Sequence, residues 1–275
     1  MGFLISDKFA TTLLFAFLAA SSAQAAAFDV EKALGDRDAC LIVADIASGT
    51  KLVEHNPTRC KERLAPCSSF KIAAALMAFE AGVLASEDQT IKWDGVSRDR
   101  KEINQDQTPL TWMSNSAMWV TQAIMPKIGM RSISKFLSDF AYGNQDFSGG
   151  ITKAWQTSSL KISAYEQAEF VTKLWKEQLP LSKKTFERTR KVIFIKSLDS
   201  GASLYGKTGT GCIVGHECMS RPDRMLGWFV GVVKGSTKEY VFAANATDLK
   251  AEKVPAGPRL RSTVIEILNG LELPK

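Results

Sequence analysis

Ser203-Leu204-Tyr205-Gly206-Lys207-Thr208-Gly209-Thr210-Gly211 reads as one strand, and what stands on either side of it decides the fold. Residues 109–195 before it are helical in character. After it, Trp228–Val233 and Tyr240–Ala244 are apolar runs joined by Lys234-Gly235-Ser236-Thr237, and a last helix covers about Leu260–Leu268. At the other end of the chain, Cys40–Glu54 reads as two strands meeting at Ala47-Ser48-Gly49. Strands, a helical block, strands and a helix predict a mixed α/β (α+β) fold, in which a sheet formed from both ends of the chain is flanked by helices. The short connections make the pairing antiparallel. The sheet part is expected at about residues 26–65 and 198–275, with the inserted helical block at about 66–197.

Within that block, a helix is expected from about Ser68 to Ala81, with Gly82 as its stop. Residues 84–108 are mostly polar and read as a long surface connection. Pro109 suits a first helical turn. Ser163-Ala164-Tyr165-Glu166 is a capping box ahead of the amphipathic run Phe170–Leu179. Between helices, residues 142–160 carry Gly143, Gly149 and Gly150 and read as an irregular loop.

The chain has 275 residues, of which 45% are hydrophobic, enough for one globular unit over residues 26–275. Residues 1–25 differ: Leu13–Ala20 is almost wholly apolar, and Ala23-Gln24-Ala25 fits the small-x-small cleavage pattern of a secretory leader. Export, to the periplasm, and a mature form off the membrane are the expectation. The formal charge of +6 comes from scattered Lys and Arg without an aromatic-basic motif, so a solvated basic surface is expected and no nucleic-acid partner. Cys40 and Cys60 flank the first two strand runs and would come close in a hairpin, where oxidation outside the cytoplasm is expected to bridge them. Cys212 and Cys218 bracket a short loop and are a second candidate pair. Cys67 is left as a small buried packing residue.

The opening strand sets a cation, a hydroxyl and bare backbone side by side. Such a strand can grip a small carboxylate at Lys207 and Thr208 and leave main-chain N–H groups for another oxygen. Histidine is scarce: only His55 and His216 exist, so a histidine triad or a histidine zinc site has little to draw on. No metal is expected, and a hydrolase would need another base. Lysine can serve if it is desolvated. Ser-x-x-Lys occurs at Ser48, Ser68, Ser132 and Ser158, but only Lys71 leads into a run apolar on every side, Ile72 to Phe79. Burial disfavours the ammonium form and yields an amine able to take a proton. Ser68, one turn earlier on the same face, is then the candidate nucleophile.

Four short boxes follow in order: Ser68-Ser69-Phe70-Lys71, Ser116-Ala117-Met118, Tyr142-Gly143-Asn144 and Lys207-Thr208-Gly209. With Trp112-Met113, Trp155, Leu160-Lys161-Ile162-Ser163 and Gly227-Trp228-Phe229-Val230-Gly231 between them, the chain resembles class D (oxacillinase-type) serine β-lactamases over about residues 38–270. The resemblance implies a serine β-lactamase/transpeptidase-like fold, hydrolysis of β-lactam substrates, penicillins among them, and resistance to those antibiotics. By the same resemblance Ser68 forms an acyl-enzyme. Lys71, carboxylated by carbon dioxide or bicarbonate and with no other cofactor, acts as general base. Ser116 and Lys207 convey the proton to the leaving nitrogen, and the backbone N–H groups of Ser68 and Thr210 hold the oxyanion. Thr208, Gly209, Thr210 and Arg259 line the substrate, with Arg261 the second choice for the carboxylate. Trp155, Phe70 and Met118 surround the modified lysine.

This sequence departs from the family pattern at Met118, where valine is usual, and at Ser69, where threonine is usual. Tyr142-Gly143-Asn144 is either a functional box or a turn built around a glycine at positive φ. Two rivals share the nucleophile. A cell-wall transpeptidase or carboxypeptidase would carry asparagine in the second box, and a β-lactam sensor would stay acylated. Monomer and homodimer are both compatible with the sequence.

Overall fold

The computed structural model describes residues 28–213, 222–271 and 273. The expected leader, His216 and Cys218 lie outside the described residues. Among those described, the strands are β1 Asp38–Asp45, β2 Lys51–His55, β3 Phe194–Ser197, β4 Ser203–Cys212, β5 Met225–Lys234 and β6 Glu239–Thr247. They form one antiparallel sheet in the order β2-β1-β6-β5-β4-β3. The helices are α1 Val30–Leu34, α2 Pro57–Lys61, α3 Lys71–Glu80, α4 Pro109–Ser114, α5 Met118–Ile128, α6 Met130–Asp139, α7 Ala164–Trp175, α8 Lys183–Ile193 and α9 Ala256–Gly270.

The two ends of the chain meet in the middle of the sheet. β1 runs beside β6, from Asp38 opposite Thr247 to Asp45 opposite Tyr240. Strand alternation then sorts the side chains into two cores. Cys40 and Ile42 of β1 and Trp228, Val230 and Val232 of β5 face the helical block, with α3, α5 and α7 packed on them. Leu41 and Val43, with Phe229 and Val233, face the other way, where α9 lays Leu260, Val264 and Ile267 against them. The Cys40–Cys60 disulfide joins β1 to α2. Arg59, on the same short helix, is buried and donates to Asn245 Oδ1 at 2.9 Å and Thr247 Oγ1 at 2.6 Å on β6.

Two boundaries differ from the sequence expectation. The helical block ends at Ile193 and the sheet resumes at once with β3, whereas the sheet part was expected from about 198. β3 is four residues long and mostly exposed, so it carries no hydrophobic alternation to announce it. The helix expected from Ser68 starts as an α-helix only at Lys71. Cys67–Phe70 form a 3₁₀ turn before it, entered through a left-handed Cys67 (φ 51°). Elsewhere the local signals hold: Thr108 caps α4 with Pro109 in its first turn, and Ser163 and Glu166 form the reciprocal capping box of α7. No described helix is long and apolar enough to cross a membrane.

Candidate active site

The first wall of the site is the 3₁₀ turn and α3. Lys71 is 0% exposed, as are Ala73, Ala74, Ala75 and Leu76 that follow it, because the helix is apolar all round and its whole surface packs. Lys71 Nζ stands 3.2 Å from Ser68 Oγ, in hydrogen-bond contact. Burial lowers the Lys71 pKa to about 7, and the positive charge of Arg100 adds to the effect. Cys67 offers no counter-charge, since burial pushes its thiol up to about 12 and keeps it neutral. The other three Ser-x-x-Lys pairs have nothing comparable: Lys51, Lys135 and Lys161 are exposed, and the first two are engaged by Glu54 and Asp139.

Aromatic side chains roof this wall. Phe70 stacks on Trp155 with ring centroids 5.4 Å apart, and Tyr142 and Phe147 close the cluster. Trp155 also accepts the Cys67 N–H through its carbonyl at 2.9 Å, tying its loop to the nucleophile turn. Its indole Nε1 is buried without a hydrogen-bond partner. Beneath the turn, Gln167 Nε2 of α7 donates to Ser69 Oγ at 2.9 Å, and Ser69 Oγ donates to the Pro66 carbonyl at 2.7 Å. Serine at 69 is thus a working link in a buried chain of hydrogen bonds.

The second wall is β4. A Cβ on Gly209 would lie 2.8 Å from Pro66 O and 3.2 Å from Ser69 N, so only glycine lets the strand approach the nucleophile turn backbone to backbone. Thr210 is fixed from behind: its Oγ1 accepts the Gly257 N–H at 3.0 Å from the first turn of α9. Lys207 is buried, and its Nζ donates to Thr208 O at 3.0 Å and to Thr208 Oγ1 at 3.2 Å. Burial and the positive charges of Lys71, Arg261 and Arg100 hold Lys207 well below the ordinary lysine range.

Ser116 sits in the turn between α4 and α5, in the left-handed region at φ 52°. A non-glycine residue is held there only when its neighbours over-determine it. Here Trp112 Nε1 donates to Thr121 Oγ1 at 3.0 Å across the turn. Asn115 donates from its side chain to Glu102 O and Gln107 Oε1, both at 3.3 Å, and accepts Arg100 Nη2 on its carbonyl at 2.8 Å. Met118 opens α5 just after this turn and packs, partly buried, on the helical core.

Two of the expected residues behave differently from their neighbours in the sequence. Arg259 turns away from β4: it pairs with the buried carboxylate of Asp248 and donates from Nε to Val254 O at 2.9 Å. It lines a separate cavity with Arg37 and Glu252. Arg261, two residues on and so on the opposite side of α9, shares a cavity with Lys207 and Thr208. Of the two arginines offered for the carboxylate, Arg261 is thus the one set beside Lys207 and Thr208, and Arg259 is engaged by Asp248. Tyr142-Gly143-Asn144 is built as support. Gly143 has φ 54°, and a Cβ there would fall 2.1 Å from Lys161 O, while the Asn144 side chain donates to Ser159 O and accepts from Lys161 N.

Arg100 and Gln167 escaped sequence reasoning. Arg100 lies on an irregular connection with no periodicity to mark it, and Gln167 follows the capping box on a face that only the folded helix defines. Among the described residues, no group of three or more His, Cys, Asp or Glu could hold a metal.

The family model described as penicillin binding protein transpeptidase domain matches residues 27–264. Beta-lactamase OXA-1 of Escherichia coli is 36% identical over 244 residues, covering 86% of each chain. A probable beta-lactamase, YbxI of Bacillus subtilis, is 34% identical over 87% of this chain and 83% of its own. Among solved structures, the class D beta-lactamase BAT-2 superposes with a TM-score of 0.79 at 31% identity, covering 90% of this chain and 97% of that one. A regulatory protein, BlaR1 of Bacillus licheniformis, is 31% identical over 80% of this chain but only 34% of its own length. These likenesses extend over nearly the whole chain, which belongs to the penicillin-binding-protein transpeptidase family as a class D serine β-lactamase.

Proposed function

We propose that the protein opens β-lactam amides through an ester on Ser68, with the Lys71 side chain receiving the proton. The observation that carries this reading is the 3.2 Å contact between Ser68 Oγ and an Lys71 amine whose pKa is lowered to about 7. At that value a large fraction of the amine is unprotonated at neutral pH and can act as a base. Ser68 gives its hydroxyl proton toward Lys71 while Oγ adds to the lactam carbonyl. The backbone N–H groups of Ser68 and Thr210 hold the oxyanion. The C–N bond then breaks, and the ring nitrogen takes a proton through Ser116, supported by Lys207. In the second half, water adds to the ester, its proton leaves toward Lys71, and Ser68 regains its own. Thr208 and Arg261 bind the substrate carboxylate.

The residues around Lys71 suit a carboxyl group on its amine. The amine is neutral enough to add carbon dioxide, and the buried, unpartnered Trp155 Nε1 is a donor for the new oxygens. When present, that group supplies an anionic general base at the Lys71 position. Phe70 and Trp155 give the amine apolar surroundings, and Met118 packs on the same core. The Cys40–Cys60 bridge supports an oxidising compartment, in keeping with a cleaved leader over residues 1–25 and one mature domain from residue 26.

The test is steady-state hydrolysis of penicillin G and nitrocefin, with and without bicarbonate, by wild type and Ser68→Ala. Sustained turnover that bicarbonate restores after acid treatment, and loss of covalent penicillin labelling in Ser68→Ala, are expected. One stoichiometric burst followed by silence would establish the sensor reading instead, and labelling that persists without Ser68 would move the nucleophile elsewhere.

A further inference from the structure

The geometry points to a second recognition element in this enzyme: the cavity beside Lys207 receives an apolar or aromatic substituent on the ring carbon next to the substrate carboxylate, and Phe194 is the residue that selects it. The inference rests on the β-lactamase reading and adds to it the side of the substrate that this chain discriminates.

The cavity measures about 200 Å³ and lies where the end of α4, the α8–β3 junction, β4 and α9 converge. One wall is cationic through Arg261, with the Lys207 amine beside it. Met113, Val192 and Phe194 contribute to an apolar part, beside the polar Ser114 and Thr208. A carboxylate held on that wall leaves the ring carbon beside its own only two bonds from the carboxyl carbon, so a group carried there is directed toward the apolar part. Cavities of roughly 150 Å³ accommodate a benzene ring, so the space suits a single aromatic group. A positively charged substituent would meet Arg261 and Lys207 and be disfavoured.

The lining has a local cause in the sheet. The β3–β4 ladder is irregular between Phe194 and Lys196: Phe194 opposes Tyr205, while Lys196 opposes Leu204. Phe194 meets Tyr205 on one face of the sheet while Ile195 packs against the core under α9, and the extra residue at this irregularity locally bends β3 beside the cavity. Phe194 is 48% exposed although large and apolar. Its ring meets Tyr205 edge-on, with centroids 5.4 Å apart, and Tyr205 in turn rests on Trp175, so the phenyl group is held at the cavity mouth without being covered there. No catalytic role for Phe194 follows from this position. It shapes which substrates fit.

Nitrocefin and cephalothin test this, because they share the thienylacetyl side chain and the ring carboxylate and differ in the substituent beside it, a dinitrostyryl group against an acetoxymethyl group. In Phe194→Ala, kcat/KM for nitrocefin should fall about tenfold and for cephalothin less than about twofold, the scale on which apolar pockets discriminate. Phe194→Leu, which keeps an apolar group against Tyr205, should give the same ordering with a smaller ratio. Equal losses for both substrates, or no change for either, in these variants would overturn the subsite. Wild-type enzyme that turns over penicillin G but neither cephalosporin would overturn the subsite alone, and one that turns over none of the three would overturn the hydrolase reading with it.

Discussion

The two buried lysines of the site occupy opposite walls, and burial lowers the pKa of each in different surroundings. Lys71 lies in a dry helical wall: its helix is apolar on every side, its aromatic roof excludes water, and its neighbouring thiol is neutral. Lys207 lies on a strand at the edge of a cavity, in a field that includes Lys71, Arg261 and Arg100. Burial lowers both, but the cationic neighbourhood of Lys207 is one that an arriving anion can reverse. A carboxylate bound there would restore the Lys207 ammonium, whereas Lys71 stays a base whether or not substrate is present. One lysine is tuned by the fold, and the other is left for the substrate to tune.

The largest effect should come from removing the dry lysine. Lys71→Met should lower kcat/KM by about 10²–10⁴, the usual contribution of a positioned base. It should also stabilise the protein. The folded state holds Lys71 near 7 and the unfolded chain near the ordinary 10.5, so below pH 7 the native state bears the full penalty of a buried ammonium, and between about 7 and 10.5 unfolding takes up a proton that the native amine lacks. The variant's advantage should be on the order of a few kcal/mol below pH 7, and should shrink as pH rises from about 7 toward 10.5. Thermal melts across that range in carbon-dioxide-free buffer read this directly, and equal melting temperatures at pH 6 would contradict it.

The strand-side cations give a smaller, two-armed effect. Arg261→Ala should raise KM for penicillin G about tenfold with little change in melting temperature, as expected for loss of one charge-assisted contact to substrate. Arg259→Ala should do the reverse. Asp248 is only 4% exposed, so removing its partner strands a buried carboxylate at a cost of about 1–3 kcal/mol, with KM unchanged. Steady-state kinetics beside melting curves separate the two arginines, and a KM effect in Arg259→Ala would return the anchor to it.

The smallest effect tests the link between the walls. Arg100 lowers both lysines while its guanidinium holds the Asn115 carbonyl ahead of Ser116. Arg100→Ala should raise the Lys71 pKa, move the acid limb of the kcat/KM profile to higher pH, and cost roughly threefold at pH 7. Arg100→Lys should restore the limb's position without the full rate, since lysine keeps the charge but not the fork. An acid limb that stays in place in Arg100→Ala would remove the electrostatic role.

How far the sequence discloses this arrangement depends on periodicity. α3 is legible because the eight residues Ile72–Phe79 are apolar on every side of a helix and call for complete burial, and that burial carries the chemistry of Lys71 with it. β1, β5 and β6 are legible from their apolar runs, and the pairing of chain ends follows from element order. β3 is not legible: four mostly exposed residues directly after a helix offer no pattern, and the first two of them line the cavity beside Lys207. The choice between Arg259 and Arg261 depends on which face of α9 meets the sheet. Leu260, Val264 and Ile267 settle that only once the sheet is known. Ser116 is found by its box, but its left-handed backbone and its tether to Arg100 depend on contacts across an irregular loop.

β1 lies between β2, its neighbour in the chain, and β6, which forms only at residues 239–247. During synthesis the Ser68 turn and α3 therefore emerge long before the strand that will hold β1 in place, and before Lys207 exists to face them. Pairings of such long sequence separation form late, and the unfinished chain has no sheet for its apolar helix to rest on. A nascent or C-terminally truncated chain carries its nucleophile and its base yet has no cleft. The capacity to be acylated should appear in a single step near completion of the chain, so a cell making this protein gains nothing from partial products.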